Sequence, residues 1–247
     1  MNELRTAAVL GAGAVGSALL RELPKAGVRV VARWTRSSEK QLPKLDAELV
    51  LLAVSDGAVT ELCDQLQPRR GQLVVHLAGA LPLTALRGAQ EQGARTGSMH
   101  PLRAITKGDD FRGAYTGIAG STATARAQLT ALSRRLGMKP LNIPDRSRAL
   151  YHAAAVLAAP AQVALFSEAV RAFQKATGAR ERDARAALLP LALGALGKLS
   201  KSLPAAALTG PAARGDLRTI AAHREVLPKD LLALYDELTR VALGLKR

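Results

Sequence analysis

The sequence predicts an α/β chain in two parts: a mostly parallel sheet covered by helices over residues 1–144, then an all-helical part over residues 145–247. Three observations carry that prediction. Continuously apolar stretches alternate with helical patterns as far as Pro144, and strands without polar alternation belong to sheets buried on both faces. Beyond Pro144 the strand signals stop and helical periodicity alone remains. With 247 residues, 48% hydrophobic and 22% charged, the chain can bury one sizeable core and a second, smaller one.

Taken in order, "RTAAVL" (5–10) is the first buried strand, "GAGAVG" a glycine turn, and "SALLREL" an amphipathic helix that closes near Pro24 and Gly27. "VRVVARW" (28–34) and "AELVLLAVS" (47–55) are the second and third strands. The helix "GAVTELCDQLQ" leads to a fourth, "GQLVVHLAG" (71–79). "GARTGSMH" (93–100), "YTGIAG" (115–120) and "KPLNIP" (139–144) complete the strands, with the helix "TATARAQLTALSRRLG" between the last two. The segment from Asp145 to Ala179 reads as one long helix with a kink at Pro160, where the backbone donor is missing. Helices "ERDARAALLPLALGALGKLSKSL", "LRTIAAHREVL" and "KDLLALYDELTRVALGL" follow, interrupted by the turn-rich "TGPAARGD".

Composition removes several classes of function. The single cysteine, Cys63, excludes a disulfide framework and reads as a small apolar filler, so a reducing, cytoplasmic setting is expected. No metal-ligand spacing is visible. The N-terminus runs from Met1 straight into a strand, without the apolar core of a secretory leader. Ala149–Ser167 carries no Asp, Glu, Lys or Arg, yet His152, Pro160, Gln162 and its alanine content fit a buried helix of a soluble protein better than a membrane span. The net charge of +15 is spread: 19 basic and 12 acidic residues up to Asp145, 16 and 8 beyond. Aromatic residues, at 3%, do not interleave with the arginines, so the charge reads as a solvated surface rather than a nucleic-acid site.

Gly11, Gly13 and Gly16 form G-x-G-x-x-G directly after a strand and at the start of a helix. The first glycine makes the tight turn, the second lets backbone approach a pyrophosphate, and the third allows close helix–strand packing. The free N–H groups at the helix start suit an anion. Gly11, Ala12, Gly13, Ala14, Val15 and Gly16 are therefore the first cofactor-binding candidates of a Rossmann-like dinucleotide site.

An NAD site places an acid on the ribose hydroxyls after the second strand. Here that place holds "RWTRSSEK", and its nearest acid, Glu39, lies well past the strand end. An acid would repel a 2′-phosphate, whereas arginine and hydroxyl groups attract it. Thr35, Arg36, Ser37 and Lys40 are thus expected to select NADP over NAD; a solvated basic loop is the plainer alternative. The small residues Ala53, Val54 and Ser55, ending the third strand, should floor the cofactor, and Ala78 and Gly79, ending the fourth, should lie near its nicotinamide. His76 is expected to be a satisfied core histidine.

The segments "VLGAGAVGSAL", "VVARWTRSS", "LLAVSDGAV", "VVHLAGAL", "GSMHPLRAI", "YHAAAVLAA" and "LTGPAARGD" span nearly the whole chain. Together they resemble the bacterial Rossmann-like proteins with a helical C-terminal domain of unknown function, family 2520. That family is similar to pyrroline-5-carboxylate reductase and the deazaflavin-dependent NADP reductases in the 6-phosphogluconate dehydrogenase-like superfamily. The relatives' "NRT"-like triplet, which receives the 2′-phosphate, maps onto Thr35, Arg36 and Ser37, with threonine in place of the usual asparagine. The resemblance implies NADP(H) binding and a homodimer whose helical domains pack together around the active-site cleft. It supplies no substrate.

His100, at a strand end before a proline, and His152, one turn into the long helix beside Tyr151, are the catalytic candidates, either as proton donor or as a group that orients a carboxylate. A histidine paired inside the helical core is the alternative for each. Thr209, Gly210 and Arg214 are expected on the substrate wall, with Asp216 as a helix cap and His223 solvated. The expected function is an NADP(H)-dependent oxidoreductase acting on a small anionic carbonyl or imine, or the matching alcohol or amine. A non-catalytic NADP sensor or partner-binding protein and a nucleic-acid-associated protein are its rivals.

Overall fold

A computed structural model describes residues 3–37, 42–106 and 108–245. The chain runs β1 (Thr6–Leu10), α1 (Ala14–Lys25), β2 (Arg29–Trp34), β3 (Leu49–Leu52), α2 (Val59–Asp64), β4 (Leu73–His76), α3 (Arg87–Glu91), β5 (Arg95–Leu102), β6 (Tyr115–Gly120), α4 (Ala123–Arg135) and β7 (Lys139–Asn142). There follow α5 (Arg148–Ala158), α6 (Pro160–Thr177), α7 (Glu181–Lys198), α8 (Pro204–Ala207), α9 (Pro211–Arg214), α10 (Leu217–Val226) and α11 (Lys229–Gly244).

The strands form one sheet in the order β2-β1-β3-β4-β5-β6-β7, parallel throughout except where β5 meets β6. Parallel neighbours need a crossover, usually a helix. The described residues between β5 and β6 form none, so the chain turns straight back and pairs His100 with Gly117. Each of the seven expected strands is present, and the fold is Rossmann-like.

Because both faces of the central strands are covered, alternate residues feed two cores. Leu73, Val75 and Met99 join Leu19 and Leu23 of α1 and Leu129 and Leu132 of α4 on one face. Val74, Leu52 and Trp34 join Leu62 and Cys63 of α2 and Ala89 of α3 on the other. Burying a leucine of this kind contributes roughly 2 kcal/mol, and three of them, Leu49, Leu51 and Leu52, lie with Val50 in β3 as a nearly dry central strand. Cys63 is buried, where desolvation raises its thiol pKa, in keeping with an inert filler.

Two compact units result, Met1–Leu157 and Ala158–Arg247. Composition changes at Pro144, but α5 belongs to the first unit because its first turn is bonded to the sheet. The long helix is interrupted at Ala159 and restarts with Pro160 at its first position, where a missing donor costs nothing.

The second unit is helical. Its turn-rich stretch contains a short helix, α9, between Gly210 at φ +86° and Gly215 at φ +66°, left-handed positions that glycine adopts without strain. Leu157 of the first unit and Val163, Leu191 and Leu193 of the second are exposed, and Leu150, one turn before Leu157's neighbours, is 77% exposed. The burial expected for Ala149–Ser167 is therefore not met within a single chain. By length and composition, Asp145–Thr177 is apolar enough to cross a membrane.

Candidate functional site

The glycine turn between β1 and α1 uses its three glycines differently. At Gly11, φ is +110° and a Cβ would stand 2.1 Å from the Ala53 carbonyl oxygen, so no other residue fits. At Gly16 a Cβ would meet the Gly11 carbonyl at 2.3 Å, which sets the close approach of helix to strand. At Gly13, the N-cap of α1, a Cβ would project into open space. Gly13 thus leaves the face of the turn clear for a bulky anion, next to the free N–H groups opening a 12-residue helix. Ala14, Val15 and Gly16 form the first turn of that helix.

A groove of about 350 Å³ extends from this turn, lined by Gly11, Ala12 and Gly13, by Trp34, Thr35 and Arg36, and by Ala53, Val54 and Ser55. The three sequence-predicted segments therefore meet on one surface. Their meeting follows from strand order: β2, β1 and β3 are neighbours, and all three end on the same edge. Trp34 is buried in the core below, 6% exposed, and its carbonyl accepts from the Gly11 N–H at 2.8 Å. Thr35 and Ser37 hydroxyls are 3.1 Å apart. Arg36 reaches across to Glu61 of α2 at 3.4 Å, with both side chains exposed. Lys40 lies outside the described residues. A larger hollow, about 450 Å³, beside the amino end of β4 has Lys44 as its one charged lining residue among the described residues, which bring no catalytic group together there.

The second cluster stands at the carboxyl ends of β4 and β5. Thr96, Ser98 and His100 alternate on one face of β5, beside His76 of β4 in register with Ser98. Arg148, Tyr151 and His152 are spaced i, i+3, i+4 and so share one face of α5. Arg148 is 1% exposed; it donates to Ser98 Oγ at 2.5 Å and to the Ala78 carbonyl at 2.9 Å. No carboxylate among the described residues lies within ion-pair distance of it; Asp145, three residues earlier, instead accepts from the Leu83 N–H at 3.0 Å.

With α5 held in this way, His100, Tyr151 and His152 converge. His100 Nδ1 is 2.9 Å from Tyr151 Oη. The His100 ring meets those of Tyr151 and His152 edge-on, each with centroids 5.6 Å apart. Two glycines make the room. A Cβ on Gly79 would stand 2.3 Å from His152 Nδ1 and 3.0 Å from His100 Nε2, and one on Gly117 would stand 2.5 Å from Tyr151 Oη. Gly79 is thus the floor under both imidazoles, and Ala78 holds Arg148.

Burial, followed by the charges of His152 and Arg148, brings the His100 pKa down to about 4. Burial, then Arg148, brings His76 to about 4 as well. Both rings are neutral at physiological pH. His76 is buried as the sequence suggested, but it is not satisfied: neither ring nitrogen makes a full hydrogen bond, and the backbone of Ala78 and Pro82 gives only weak polar contact. Desolvation raises the Tyr151 pKa and lowers that of Arg148.

Thr209, Gly210 and Arg214 lie in the second unit, at the entry to and end of α9. Asp216 caps α10, accepting from the Thr219 N–H at 3.0 Å. His223 is exposed, yet its Nδ1 is paired with Tyr235 Oη at 2.8 Å across to α11. Arg148 and Tyr151 were not singled out from the sequence, although the i, i+3, i+4 spacing with His152 was there to be read. No group of three or more metal-ligating side chains occurs among the described residues.

Residues 114–242 match the profile of the domain of unknown function DUF2520, and residues 7–92 that of the NAD dependent epimerase/dehydratase family. No curated protein matches the chain in sequence. Among solved structures, a Bacteroides fragilis protein provisionally named an NADP oxidoreductase superposes with a TM-score of 0.78 at 23% identity, covering 98% of each chain. An Aspergillus terreus reductive aminase, solved with NADPH and ethyl levulinate, gives 0.68 at 18% identity over 98% of this chain and 94% of its own. A 1-pyrroline-5-carboxylate reductase from Streptococcus pyogenes gives 0.60 at 15% identity over 97% and 98%. At these identities the likeness establishes the fold.

Proposed function

The chain belongs to the DUF2520 family, and from that premise we propose that it is an NADP(H)-dependent oxidoreductase of a small anionic carbonyl or imine compound, or of the matching alcohol or amine. One observation carries the reading: the carboxyl edge of the sheet runs without interruption from the open Gly13 turn, past Ala53–Ser55, to the two histidines over Gly79. A dinucleotide lies along such an edge in doubly wound folds.

Gly11 to Gly16 would hold the pyrophosphate through backbone N–H groups. Thr35, Arg36 and Ser37, with Lys40 on the sequence argument alone, would hold a 2′-phosphate, Arg36 exchanging Glu61 for a bidentate pair. A bound NADPH supplies the hydride. Ala78 and Gly79 would bring the reacting carbon to the histidines, from which the oxygen or nitrogen being reduced takes its proton. The helical unit's candidates for substrate contact are Thr209, Gly210 and Arg214. We propose further that the protein is a cytoplasmic homodimer joined through its helical units, in which the exposed leucines are covered by a second copy.

Thermal-shift and fluorescence titration with NADPH and NADH test the cofactor. NADPH should stabilise the chain more than NADH does, and Arg36→Ala should cost NADPH about 10- to 100-fold in affinity, the value of a charged hydrogen-bond pair, while leaving NADH unchanged. Stabilisation by neither nucleotide would refute the reading. Tight NADPH binding without turnover of any keto or imino acid would make the protein a sensor.

A further inference from the structure

His100 poses a problem for the proposed chemistry. A ring that stays neutral down to about pH 4 holds no spare proton to give at neutral pH. Its surroundings supply an answer. The Tyr151 hydroxyl lies against Gly117, where a Cβ would stand 2.5 Å from its oxygen. Of the two acceptors within its reach, His100 Nδ1 at 2.9 Å is nearer to the hydroxyl than the His100 carbonyl at 3.4 Å, so the hydroxyl proton points at Nδ1. A nitrogen that accepts from a hydroxyl carries no proton, so in neutral His100 the proton sits on Nε2, the atom over Gly79.

We propose that Tyr151 and His100 form a neutral proton relay, in which Tyr151 fixes His100 as the Nε2–H tautomer and His100, not His152, is the proton donor of the site. The inference rests on the oxidoreductase reading for the identity of the acceptor. As hydride adds to the substrate carbon, the heteroatom takes the Nε2 proton, and Nδ1 takes the hydroxyl proton of Tyr151. His100 is neutral before and after. Recovery runs the relay backwards: Nε2 takes a proton from solvent while Nδ1 returns its own to the phenolate of Tyr151, which restores the Nε2–H tautomer.

Burial opposes that phenolate, and the charge of Arg148 offsets part of the cost. Arg148 lies one turn before Tyr151 on the same face of α5, fully buried, with no carboxylate in ion-pair reach among the described residues. Its charge favours an anion on Tyr151 and disfavours a cation on His100, and both effects keep the proton moving through a neutral ring. The other titratable groups facing His100 are His152, which adds to the second effect, and His76 behind Arg148. Asp145 is occupied with Leu83. His152 has no hydrogen bond to set its tautomer, and its Nδ1 is buried against Gly79 without a partner.

The test needs neither substrate nor nucleotide. In the full chain labelled with 15N-histidine, the ring signals that vanish in His100→Asn belong to His100. They should report the Nε2–H tautomer between pH 6 and 8 and a mixture, or the other tautomer, in Tyr151→Phe. Phenylalanine keeps the ring against Gly117, and circular dichroism checks that it folds. An Nδ1–H tautomer in the parent protein, or the same tautomer with and without the hydroxyl, would overturn the relay; should Tyr151→Phe not fold, the parent spectrum decides alone. Absence of NADPH binding would remove the oxidoreductase reading and leave the tautomer result standing, so the two failures are distinct.

Discussion

The guanidinium of Arg36 stands 3.4 Å from the Glu61 carboxylate, an ion pair that joins the loop after β2 to α2 at the mouth of the groove. With side chains 75% and 63% exposed, the pair contributes little to stability and yields readily to a stronger anion. On the proposed NADP reading, Glu61 would compete with the 2′-phosphate for Arg36. Glu61→Gln should tighten NADPH about 2- to 5-fold at low salt, leave NADH unchanged, and lose its effect near 0.5 M salt, where exposed charges are screened. Fluorescence titration at two ionic strengths decides; equal tightening of both nucleotides would show that Glu61 acts elsewhere.

Gly11 and Gly13 should respond oppositely to alanine. Gly13→Ala meets nothing, so the unfolding midpoint should move by no more than a degree or two, while nucleotide affinity falls at least about tenfold because the methyl occupies the space of the pyrophosphate. Gly11→Ala combines a left-handed φ with a backbone clash, and should cost about 3 kcal/mol of stability. Calorimetry separates the two variants. A large loss of stability at Gly13 would refute the account of the turn.

Acid should destabilise the sheet unit through its neutral histidines. In the folded chain His76 and His100 bind a proton only near pH 4, whereas in the unfolded chain they do so near 6.5. Between those values the unfolded state holds more protons, so stability is full above about pH 6.5 and is lost as pH falls towards 4. His76 alone should account for roughly 2 kcal/mol at pH 5. Urea unfolding at pH 7 and pH 5, in the parent and in His76→Leu, measures this; an equal pH slope in the two proteins would exclude His76 as a source.

The exposed leucines and valine of the helices predict self-association. Sedimentation should give a dimer, and Val163→Glu with Leu191→Glu, both at positions more than 70% exposed, should raise its dissociation constant at least about 100-fold. A monomeric parent chain would remove the dimer, and an unchanged dimer in the double variant would place the interface elsewhere.

Much of the fold was legible because burial on two faces writes continuous apolar strands, and because the glycine turn has no room for a side chain at Gly11 or Gly16. Arg36 and His100 stood out in the sequence as candidates because each sits at or just past a strand end, a place that topology assigns to ligands. Tyr151 and Arg148 were passed over for a different reason. Tyrosine beside histidine on a helix suggests side chains about 100° apart, and only the third member, Arg148, shows that the buried face is wide enough to hold both. The satisfied state expected for His76 failed because the nearest cation, Arg148, comes from a helix 72 residues away and spends both terminal nitrogens on Ser98 and Ala78. The turn-rich stretch holds α9 because prolines suit the first turn of a helix as well as they suit turns.

The attachment of α5 by Arg148 also bears on how the chain can be divided. A fragment cut at Pro144, where composition changes, retains the glycine turn, the groove and His100, and discards Tyr151 and His152. A fragment carried to Leu157 retains all of them. Thirteen residues, ten of them in α5, thus separate a piece that carries the glycine turn and groove from one that also carries the Tyr151–His100 pair, and a designer who wishes to graft the proposed chemistry onto another helical partner must take the first turns of α5 along with the sheet.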